Sequence, residues 1–309
     1  MKVLLISHIA DPDGVTNAVL GKIVFNDIDI KLTELNDVDK LLKEGIESNQ
    51  YDKIYITDLN MTEEMAKYID KDEVLKKKIH VFDHHISQIH LNKYSFIDVI
   101  VEKNNRKECG TSLFYDHLLN ISDNEMLRKN STKKIVNLVR SIDTFDFQEI
   151  SKDEAFTIQK LFSIFGRDKY IDYLINYVKN NDEFVLDGSL KLIIDIENDR
   201  VKRYINQKEQ EMFKVKLDGY NAGLVYAEDY RTELGDYLNT KYKELLDFII
   251  IINVSRSISL RGQGKVDLSI LSTKYGGGGH KNAAGIKLPK DFLKNITNII
   301  FKEIEFYDK

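Results

Sequence analysis

The first half of this chain alternates short apolar runs with helix-like stretches, and this alternation limits the fold more than any other feature. The apolar runs cover residues 3–6, 54–56, 79–82 and 97–101, and helical periodicity starts at Val15 and again at Thr62. Strands that alternate with helices form parallel βαβ units, because a parallel connection has to cross back over the sheet. The first half is therefore predicted to be an α/β domain built on a parallel sheet.

The second half begins with a long helical pattern. Residues 190–215 carry apolar side chains at helical spacing without Gly or Pro, which predicts one stiff connector helix. Beyond it, residues 223–226, 248–254, 257–260 and 266–270 are interpreted as strands of a smaller α/β unit. The predicted organisation is a first domain over 1–188, a connector helix over 189–215 and a second domain over 216–309.

Cysteine usage and hydropathy indicate the compartment. The longest uninterrupted apolar run, residues 248–252, is far shorter than the ~18 residues of a membrane-spanning helix, and no cleavage-site pattern follows the first residues. The single cysteine, Cys109, excludes an intramolecular disulfide and a cysteine-based zinc site. We therefore expect a cytoplasmic protein that makes no membrane contact.

Charge is distributed unevenly along the chain. The net charge is −5, which argues against a protein that coats long duplex nucleic acid. Residues 256–290, however, contain seven Lys or Arg and one Asp, a net charge of +6. The sequence thus predicts an acidic body that attracts cations and a basic segment that meets a small anion, the alternative being a solvated lysine-rich surface.

Histidine and aspartate follow three of the predicted strands. His8, Asp11 and Asp13 come after the first strand, Asp58 after the run at 54–56, and the triplet 83–85, Asp-His-His, after the run at 79–82. Ligands of an open parallel sheet bind outside the carboxyl ends of its strands. Each group alone could be a helix cap, a turn or a surface pair, but their recurrence after separate strands favours a site for Mn²⁺ or a similar cation.

A glycine run in the basic segment suggests phosphate binding. Four glycines, 276–279, are followed by His280 and Lys281, and then by the small residues 283–285. Successive glycines can present backbone N–H groups in a concave nest that binds phosphate oxygens. A flexible turn is the alternative interpretation of such a run.

These motifs, in this order, resemble those of the DHH phosphoesterase family over nearly the whole chain. The matching elements are the segment 7–14, the strand end Thr57-Asp58, the triplet 83–85, the dipeptide Asp143-Thr144 and the Gly-Gly-Gly-His element that ends at His280. The resemblance implies a parallel-sheet DHH domain joined by a long helix to a smaller α/β domain. It also implies an active site in the cleft between the two domains.

The resemblance further implies a dinuclear metal site. One cation would be held by His8, Asp11 and Asp58, and the other by Asp13, Asp58, His84 and Asp143, with Asp58 as the bridge. Mn²⁺ is the expected metal, with Mg²⁺ or Co²⁺ as alternatives. Many relatives have one more residue between the histidine and the first aspartate of this motif, which leaves Asp11 the weakest of these assignments, and Asp146 competes with Asp143.

The same resemblance assigns residues that act on the substrate. Asp58, His85 and Asp83 form the expected catalytic set, with His85 facing the scissile phosphate and Asp83 orienting the histidines. Arg261 matches an arginine that grips phosphate in relatives, and Arg256 is a second candidate. The expected substrate-binding residues are His85, Arg261, Gly277, Gly278, Gly279 and His280.

The resulting prediction is a metal-dependent phosphodiesterase or phosphatase. Its expected substrates are short RNA or DNA oligomers, linear dinucleotides or 3′-phosphoadenosine 5′-phosphate, and long duplex nucleic acid is excluded. The sequence leaves a homodimer open. The alternatives are a polyphosphate or pyrophosphate hydrolase, a nucleotide-binding regulator without catalysis, and an unrelated α/β protein with coincidental motifs.

Overall fold

The computed structural model describes residues 1–255, 257–289 and 291–300. The chain divides into two compact units, the first covering Met1–Ile194 and the second beginning at Asp195. Each unit has its own sheet. Among the residues described, no helix combines the length and the apolar character needed to cross a lipid bilayer.

The first unit contains a five-stranded sheet with helices between its strands. Its strands are β1 (Lys2–His8), β2 (Asp27–Thr33), β3 (Lys53–Thr57), β4 (Ile79–Asp83) and β5 (Ile97–Val99), with a small ladder of β6 (Glu102–Lys103) and β7 (Arg106–Lys107). Its helices are α1 (Pro12–Val24), α2 (Val38–Glu47), α3 (Glu63–Asp70), α4 (Glu73–Lys78), α5 (Gly110–Ile121), α6 (Glu125–Arg128), α7 (Asn130–Thr144) and α8 (Lys152–Asn180), with 3₁₀ helices over Leu35–Asp37 and Ile86–Lys93. Gly166 interrupts α8 with a φ of 67°.

All five strands of this sheet run parallel, in the order β2-β1-β3-β4-β5. The parallel α/β architecture predicted from the alternating pattern is confirmed. Ser7 is paired with Thr57, and Thr57 with Phe82, so the carboxyl ends of β1, β3 and β4 are aligned. The residues that follow these three strands therefore meet at one edge of the sheet.

Two hydrophobic clusters cover the two faces of the sheet. Alternate residues of a strand point to opposite faces, so Val3 and Leu5 pack among α1, α5, α7 and α8, whereas Leu4 and Ile6 pack in the other cluster with residues of α2 and α3. Burial on both faces explains why β1 is an uninterrupted apolar run. The packed sheet gives the strand ends a rigid support.

The second unit holds a six-stranded mixed sheet. Its strands are β8 (Phe213–Leu217), β9 (Tyr220–Tyr226), β10 (Phe248–Asn253), β11 (Ser257–Gly262), β12 (Gly278–His280) and β13 (Ala283–Lys287), and the order is β12-β13-β11-β10-β9-β8. Its helices are α10 (Arg231–Lys241), α11 (Leu268–Thr273) and α12 (Phe292–Ile300), while α9 (Gly188–Gln210) spans the division between the units. The expected second, smaller α/β unit is therefore present.

Three local predictions differ from the structure. The helix expected over 189–215 ends at Gln210, and Phe213 already belongs to β8. The strand expected over 266–270 is wrong, because Asp267 accepts hydrogen bonds from the backbone N–H groups of Ser269 and Ile270 and so caps α11. The edge strand β2 was not predicted, since its polar and apolar residues alternate without forming an apolar run.

Candidate metal centre

Three strand ends bring the candidate ligands together. β1 ends at His8, β3 is followed directly by Asp58, and β4 ends at Asp83 with His84 next along the chain. Asp11 caps α1 by accepting a hydrogen bond from the N–H of Gly14, at 3.1 Å. The turn between β1 and α1 thereby holds the first two ligands of the motif close to the sheet edge.

The first group of possible metal ligands consists of His8, Asp11 and Asp58. His8 Nδ1 lies 2.9 Å from Asp11 Oδ2 and 3.4 Å from Asp58 Oδ2. Hydrogen bonds with these two carboxylates raise the pKa of His8 to about 11. A bound cation would replace that proton, because a histidine must be neutral to coordinate metal.

The second group consists of Asp13, His84 and Asp143. His84 Nε2 lies 3.2 Å from Asp58 Oδ1, 3.5 Å from Asp143 Oδ2 and 3.8 Å from Asp13 Oδ2. Asp58 thus turns one oxygen towards His8 and the other towards His84. A carboxylate shared in this way has the arrangement of a bridging ligand.

Three carboxylates are crowded into this small volume. Burial and the neighbouring Asp58 and Asp143 raise the pKa of Asp13 well above its usual value, and burial raises that of Asp143 to about 6. Although burial opposes its ionisation, hydrogen bonds with His8 and His84 lower the pKa of Asp58 to about 2. For His84, burial opposes protonation, but the surrounding carboxylates still raise the pKa to about 10.

One buried oxygen of this cluster lacks a hydrogen-bond partner. Within residues 1–255, 257–289 and 291–300, Asp143 Oδ2 makes no hydrogen bond although it is inaccessible to solvent. His84 Nε2, 3.5 Å away, compensates the charge of this carboxylate only in part, and divalent cations would compensate it further. The donor set of imidazole nitrogens and carboxylate oxygens therefore fits two divalent cations.

Asp13 is held from the far side by the start of α5. The backbone N–H groups of Gly110 and Thr111 donate to its two carboxylate oxygens, each at 2.7 Å, and the Thr111 hydroxyl donates to its carbonyl. The buried Cys109 thiol opposes the rise in the pKa of this carboxylate. Sequence analysis missed this support, and the only signal for it is the run of small residues 109–112 before a helical stretch.

Two glycines allow the ligand segments to approach each other. A Cβ atom on Gly14 would lie 2.2 Å from the carbonyl oxygen of His8, and one on Gly110 would lie 2.5 Å from Asp58 Cβ. Asp58 itself has a φ of 56°, in the left-handed region that most residues avoid. Strained conformations of this kind concentrate at functional sites, where the surrounding structure enforces them.

Asp83 lies behind the histidines. Its Oδ1 accepts hydrogen bonds from the backbone N–H groups of His84 and His85, at 2.7 and 3.2 Å, and lies 2.7 Å from His85 Nδ1. Its Oδ2 accepts a 3.1 Å bond from the buried side chain of Asn60. The contact with Asp83 raises the pKa of His85 and leaves Nε2 of this half-exposed ring directed away from the carboxylate.

The two candidates for the fourth motif have different surroundings. Asp143 lies in the second group of ligands, whereas Asp146 Oδ2 lies 3.2 Å from Nη1 of the fully buried Arg140. Arg140 also reaches Glu149 and the carbonyl of Lys107, each at 3.2 Å. Asp146 therefore belongs to an ion-pair network that secures the segment after α7.

The glycine run lies in the second unit, and some of its backbone N–H groups already donate hydrogen bonds within the protein. The N–H groups of Gly276 and Gly277 donate to Thr273 and Ser272 at the end of α11, so the nest expected over the whole run does not form at these two residues. Gly277 has a packing role instead, because a Cβ atom there would lie 2.2 Å from the Gly285 carbonyl oxygen. Gly278, Gly279 and His280 form β12, which pairs with β13.

The candidate arginine of the second unit forms no ion pair among the described residues. Arg261 lies on β11 and donates to its neighbour's carbonyl; burial lowers its pKa, and the charge of Asp236 opposes this shift. No carboxylate in the described part of the chain forms an ion pair with it. His280 and Lys281 are exposed near this end of the sheet, and Arg256 lies outside the described residues.

Comparisons with known proteins show which proteins this chain is similar to. No protein-family profile matches the chain. The chain is similar to oligoribonuclease NrnB of Bacillus subtilis (strain 168), with 32% identity over 292 residues that cover 92% of this chain and 72% of that protein. The fold is shared with the pGpG-specific phosphodiesterase PggH from Vibrio cholerae, at 15% identity, a TM-score of 0.53 and 98% coverage of both chains. It is also shared with exonuclease RecJ bound to manganese, at 12% identity, a TM-score of 0.55 and coverage of 96% of this chain and 89% of that one.

Proposed function

Because this chain belongs to the DHH phosphoesterase family and is a hydrolase of phosphoester bonds, we propose that it cleaves short oligonucleotides and small nucleotides with two divalent cations. The single observation that carries the proposal is the position of Asp58, whose two oxygens lie between His8 and His84. The similarity to an oligoribonuclease supports short RNA as the substrate. The shared fold of a pGpG-specific enzyme is the reason to test linear dinucleotides as well.

The residues of the first unit divide into two ligand sets. His8 and Asp11 would hold one cation, Asp13, His84 and Asp143 would hold the other, and Asp58 would join both. When bound, the cations lower the pKa of water and neutralise charge on the phosphoryl oxygens. The mixture of oxygen and imidazole ligands suits Mn²⁺, with Mg²⁺ and Co²⁺ as alternatives.

His85 and Asp83 complete the proposed catalytic set. Asp83 fixes the ring of His85 through Nδ1, so that Nε2 can donate a hydrogen bond to a phosphoryl or leaving-group oxygen. Asp83 is in none of the groups of possible metal ligands found among the described residues, and its oxygens are directed towards Asn60 and towards the backbone and ring of His85. Asp83 thus acts through His85 and does not contact the substrate itself.

The proposed substrate-binding residues of the second unit are Arg261, Gly278, Gly279 and His280, whereas the N–H of Gly277 already donates to Ser272. The guanidinium of Arg261 can bind a phosphate group with two parallel hydrogen bonds. The proposed division of labour keeps metal binding in residues 1–188, the connector in 189–215 and substrate binding in 216–309.

The net charge of −5 supports short substrates over long polyanions. The proposed compartment is the cytoplasm, supported by the lone buried thiol.

A panel of substrates tests the proposal. The protein is incubated with Mn²⁺ and equal concentrations of a three-nucleotide RNA, a 24-nucleotide RNA, a linear dinucleotide, 3′-phosphoadenosine 5′-phosphate and pyrophosphate. We expect turnover of the short nucleotides and little release from the long RNA or pyrophosphate. Fast hydrolysis of pyrophosphate alone would replace the proposal with a pyrophosphatase. No turnover by protein that binds Mn²⁺ would indicate a nucleotide-binding regulator.

A further inference from the structure

A hollow of about 200 Å³ lies beside the candidate metal centre, within the first unit. It shares His8, Asp58 and His85 with that centre, and it extends away from them towards Glu34, Leu35 and Gln88. Pockets for whole drug-sized ligands typically occupy ~300–1,000 Å³. This smaller hollow has the size of a single ring system rather than of a complete nucleotide.

The walls of the hollow combine apolar and polar groups in the way a nucleobase requires. Leu35 follows β2 and Leu59 follows β3, and both line the hollow with apolar surface. Ser87 and Gln88, from the 3₁₀ helix after His85, add polar groups at its rim. Apolar side chains that contact the faces of a base, with a few polar groups at its edge, are typical of base recognition outside a duplex.

Glu34 is the only acidic residue of the hollow that lies outside the candidate metal centre and the Asp83 network. Its Oε2 lies 3.5 Å from His8 Nε2, and no Lys or Arg within the described ranges forms an ion pair with it. The side chain is 65% exposed, so its carboxylate is accessible to a ligand. A carboxylate accepts hydrogen bonds and cannot donate them, so it selects a base with two adjacent donors.

Among the four RNA bases, only guanine offers two adjacent donors on its Watson–Crick edge, N1–H and N2–H. Adenine and cytosine pair one donor with an acceptor there, and uracil places its single donor between two carbonyl groups. We propose that the hollow is a nucleobase subsite for guanine. In this subsite the carboxylate of Glu34 accepts hydrogen bonds from N1–H and N2–H of the base, and the amide of Gln88 donates a hydrogen bond to O6. The proposal rests on the proposed function, because the base would belong to the nucleotide whose phosphate lies at the metal centre.

Equilibrium binding of mononucleotides tests the subsite without requiring turnover. The dissociation constants of GMP, AMP, CMP and UMP are measured by calorimetry with the Mn²⁺-loaded protein. A bidentate pair of hydrogen bonds discriminates between a matching and a non-matching base. We therefore expect GMP to bind about tenfold more tightly than AMP, CMP or UMP. Glu34→Gln, which replaces one acceptor with a donor, should remove this preference and leave the affinity for AMP nearly unchanged. Glu47→Gln, on the exposed surface of α2, is the matched control and should keep the preference.

Two results would overturn the subsite. Equal binding of all four nucleotides by the wild-type protein would exclude it. Equal weakening of all four by Glu34→Gln, together with weaker Mn²⁺ binding, would show that Glu34 only orients His8. Turnover of the substrate panel separates the two proposals: dinucleotide hydrolysis without any base preference refutes the subsite alone, whereas a GMP preference without hydrolysis of any nucleotide supports the subsite and refutes the proposed activity.

Discussion

Gly110 lies so close to Asp58 that a Cβ atom at position 110 would be 2.5 Å from the Cβ of Asp58. Because the nearest atoms also include backbone atoms of Asp58, the contact cannot be relieved by a side-chain rotation. Gly110→Ala should therefore displace Asp58 and weaken Mn²⁺ binding by roughly tenfold or more, as loss of ligand support does in other metal sites. Calorimetric titration with Mn²⁺ measures the effect.

Gly188→Ala provides the control for this substitution. Gly188 lies at the start of α9, and an added Cβ there would meet no atom within 4 Å. This variant should bind Mn²⁺ as the wild type does. Normal metal affinity in Gly110→Ala would mean that α5 and Asp58 can separate without consequence for the site.

Asp58→Asn should remove activity and preserve the fold. Asparagine has the same shape and also tolerates the left-handed conformation that Asp58 adopts, but it offers one oxygen in place of two. We expect turnover to fall by roughly a hundredfold or more, because the charge of the bridging ligand is lost. Circular dichroism and a thermal melt check the fold. Wild-type turnover would contradict the two-metal arrangement.

Asn60→Ala should lower turnover by more than its loss of stability can explain. The Asn60 side chain is buried and bonds both Asp83 and the N–H of Met61, so its loss should cost about 1–2 kcal/mol of unfolding free energy. It should also release Asp83 and misplace His85, so that kcat falls while the Mn²⁺ affinity is retained. Initial-rate kinetics separate kcat from KM.

Asn92→Ala is the matched control for Asn60→Ala. The Asn92 side chain makes two hydrogen bonds with the backbone of Val99, at 2.8 and 2.7 Å, and within the described part of the chain it has no hydrogen bond with Asp83 or His85. It should lose less stability than Asn60→Ala, because Asn92 is exposed whereas Asn60 is buried, and it should keep its kcat. Equal losses of kcat in the two variants would assign Asn60 a purely structural role.

His280→Ala should weaken substrate binding more than metal binding. His280 is exposed on β12 in the second unit, whereas the groups of candidate metal ligands lie in the first. We expect KM to rise several-fold with the Mn²⁺ affinity unchanged. Lys214→Ala, on β8 at the opposite edge of the same sheet, should alter neither quantity. An equal loss of metal affinity in His280→Ala would contradict the proposed division of labour.

His117 should make the protein less stable in mild acid. Burial among Tyr55, Phe82 and Phe114, together with the nearby His80, lowers the pKa of His117 to about 4. Between pH 6.5 and about 4 the unfolded chain binds a proton that the folded chain does not, so the free energy of unfolding decreases as the pH falls. The expected loss of unfolding free energy is about 1–2 kcal/mol. This is less than the full shift in the pKa of His117 would give, because the ring is partly exposed to solvent.

Urea denaturation at pH 7.0, 5.5 and 4.5 measures this dependence. The carboxylates of the candidate metal centre also titrate in acid. The informative quantity is therefore the difference in unfolding free energy between the wild type and His117→Phe at each pH. Phenylalanine keeps an aromatic ring in the cluster and cannot bind a proton. Identical slopes of unfolding free energy against pH would show that His117 is not responsible.

The convergence of the candidate ligands could be predicted from the sequence, because parallel strands align their carboxyl ends. Once the apolar runs predict strands, His8, Asp58 and His84 must meet at one edge of the sheet. The same reasoning failed for residues 266–270. A run of that length is compatible with either state, and the local hydrogen bonds of Asp267 decide for a helix.

The support behind the ligands could not be read in this way. Gly110 and Thr111 hold Asp13 through backbone N–H groups, which every residue except proline has, so no residue type marks them. The Asp143-Thr144 dipeptide favoured Asp143 over Asp146 in the sequence, but the ion pair between Asp146 and Arg140 is visible only in the folded structure. The hollow beside Glu34 arises from three separate segments and has no local signature.

The attachment of Asp13 to Gly110 and Thr111 also has a consequence for biosynthesis. A nascent chain would carry His8, Asp11 and Asp13 long before the ribosome has made the start of α5 or Asp143. Until then the first carboxylates lack both their backbone donors and their partner ligands. Metal capture by the proposed centre would therefore follow the synthesis of α5 and α7, late in the maturation of this unit.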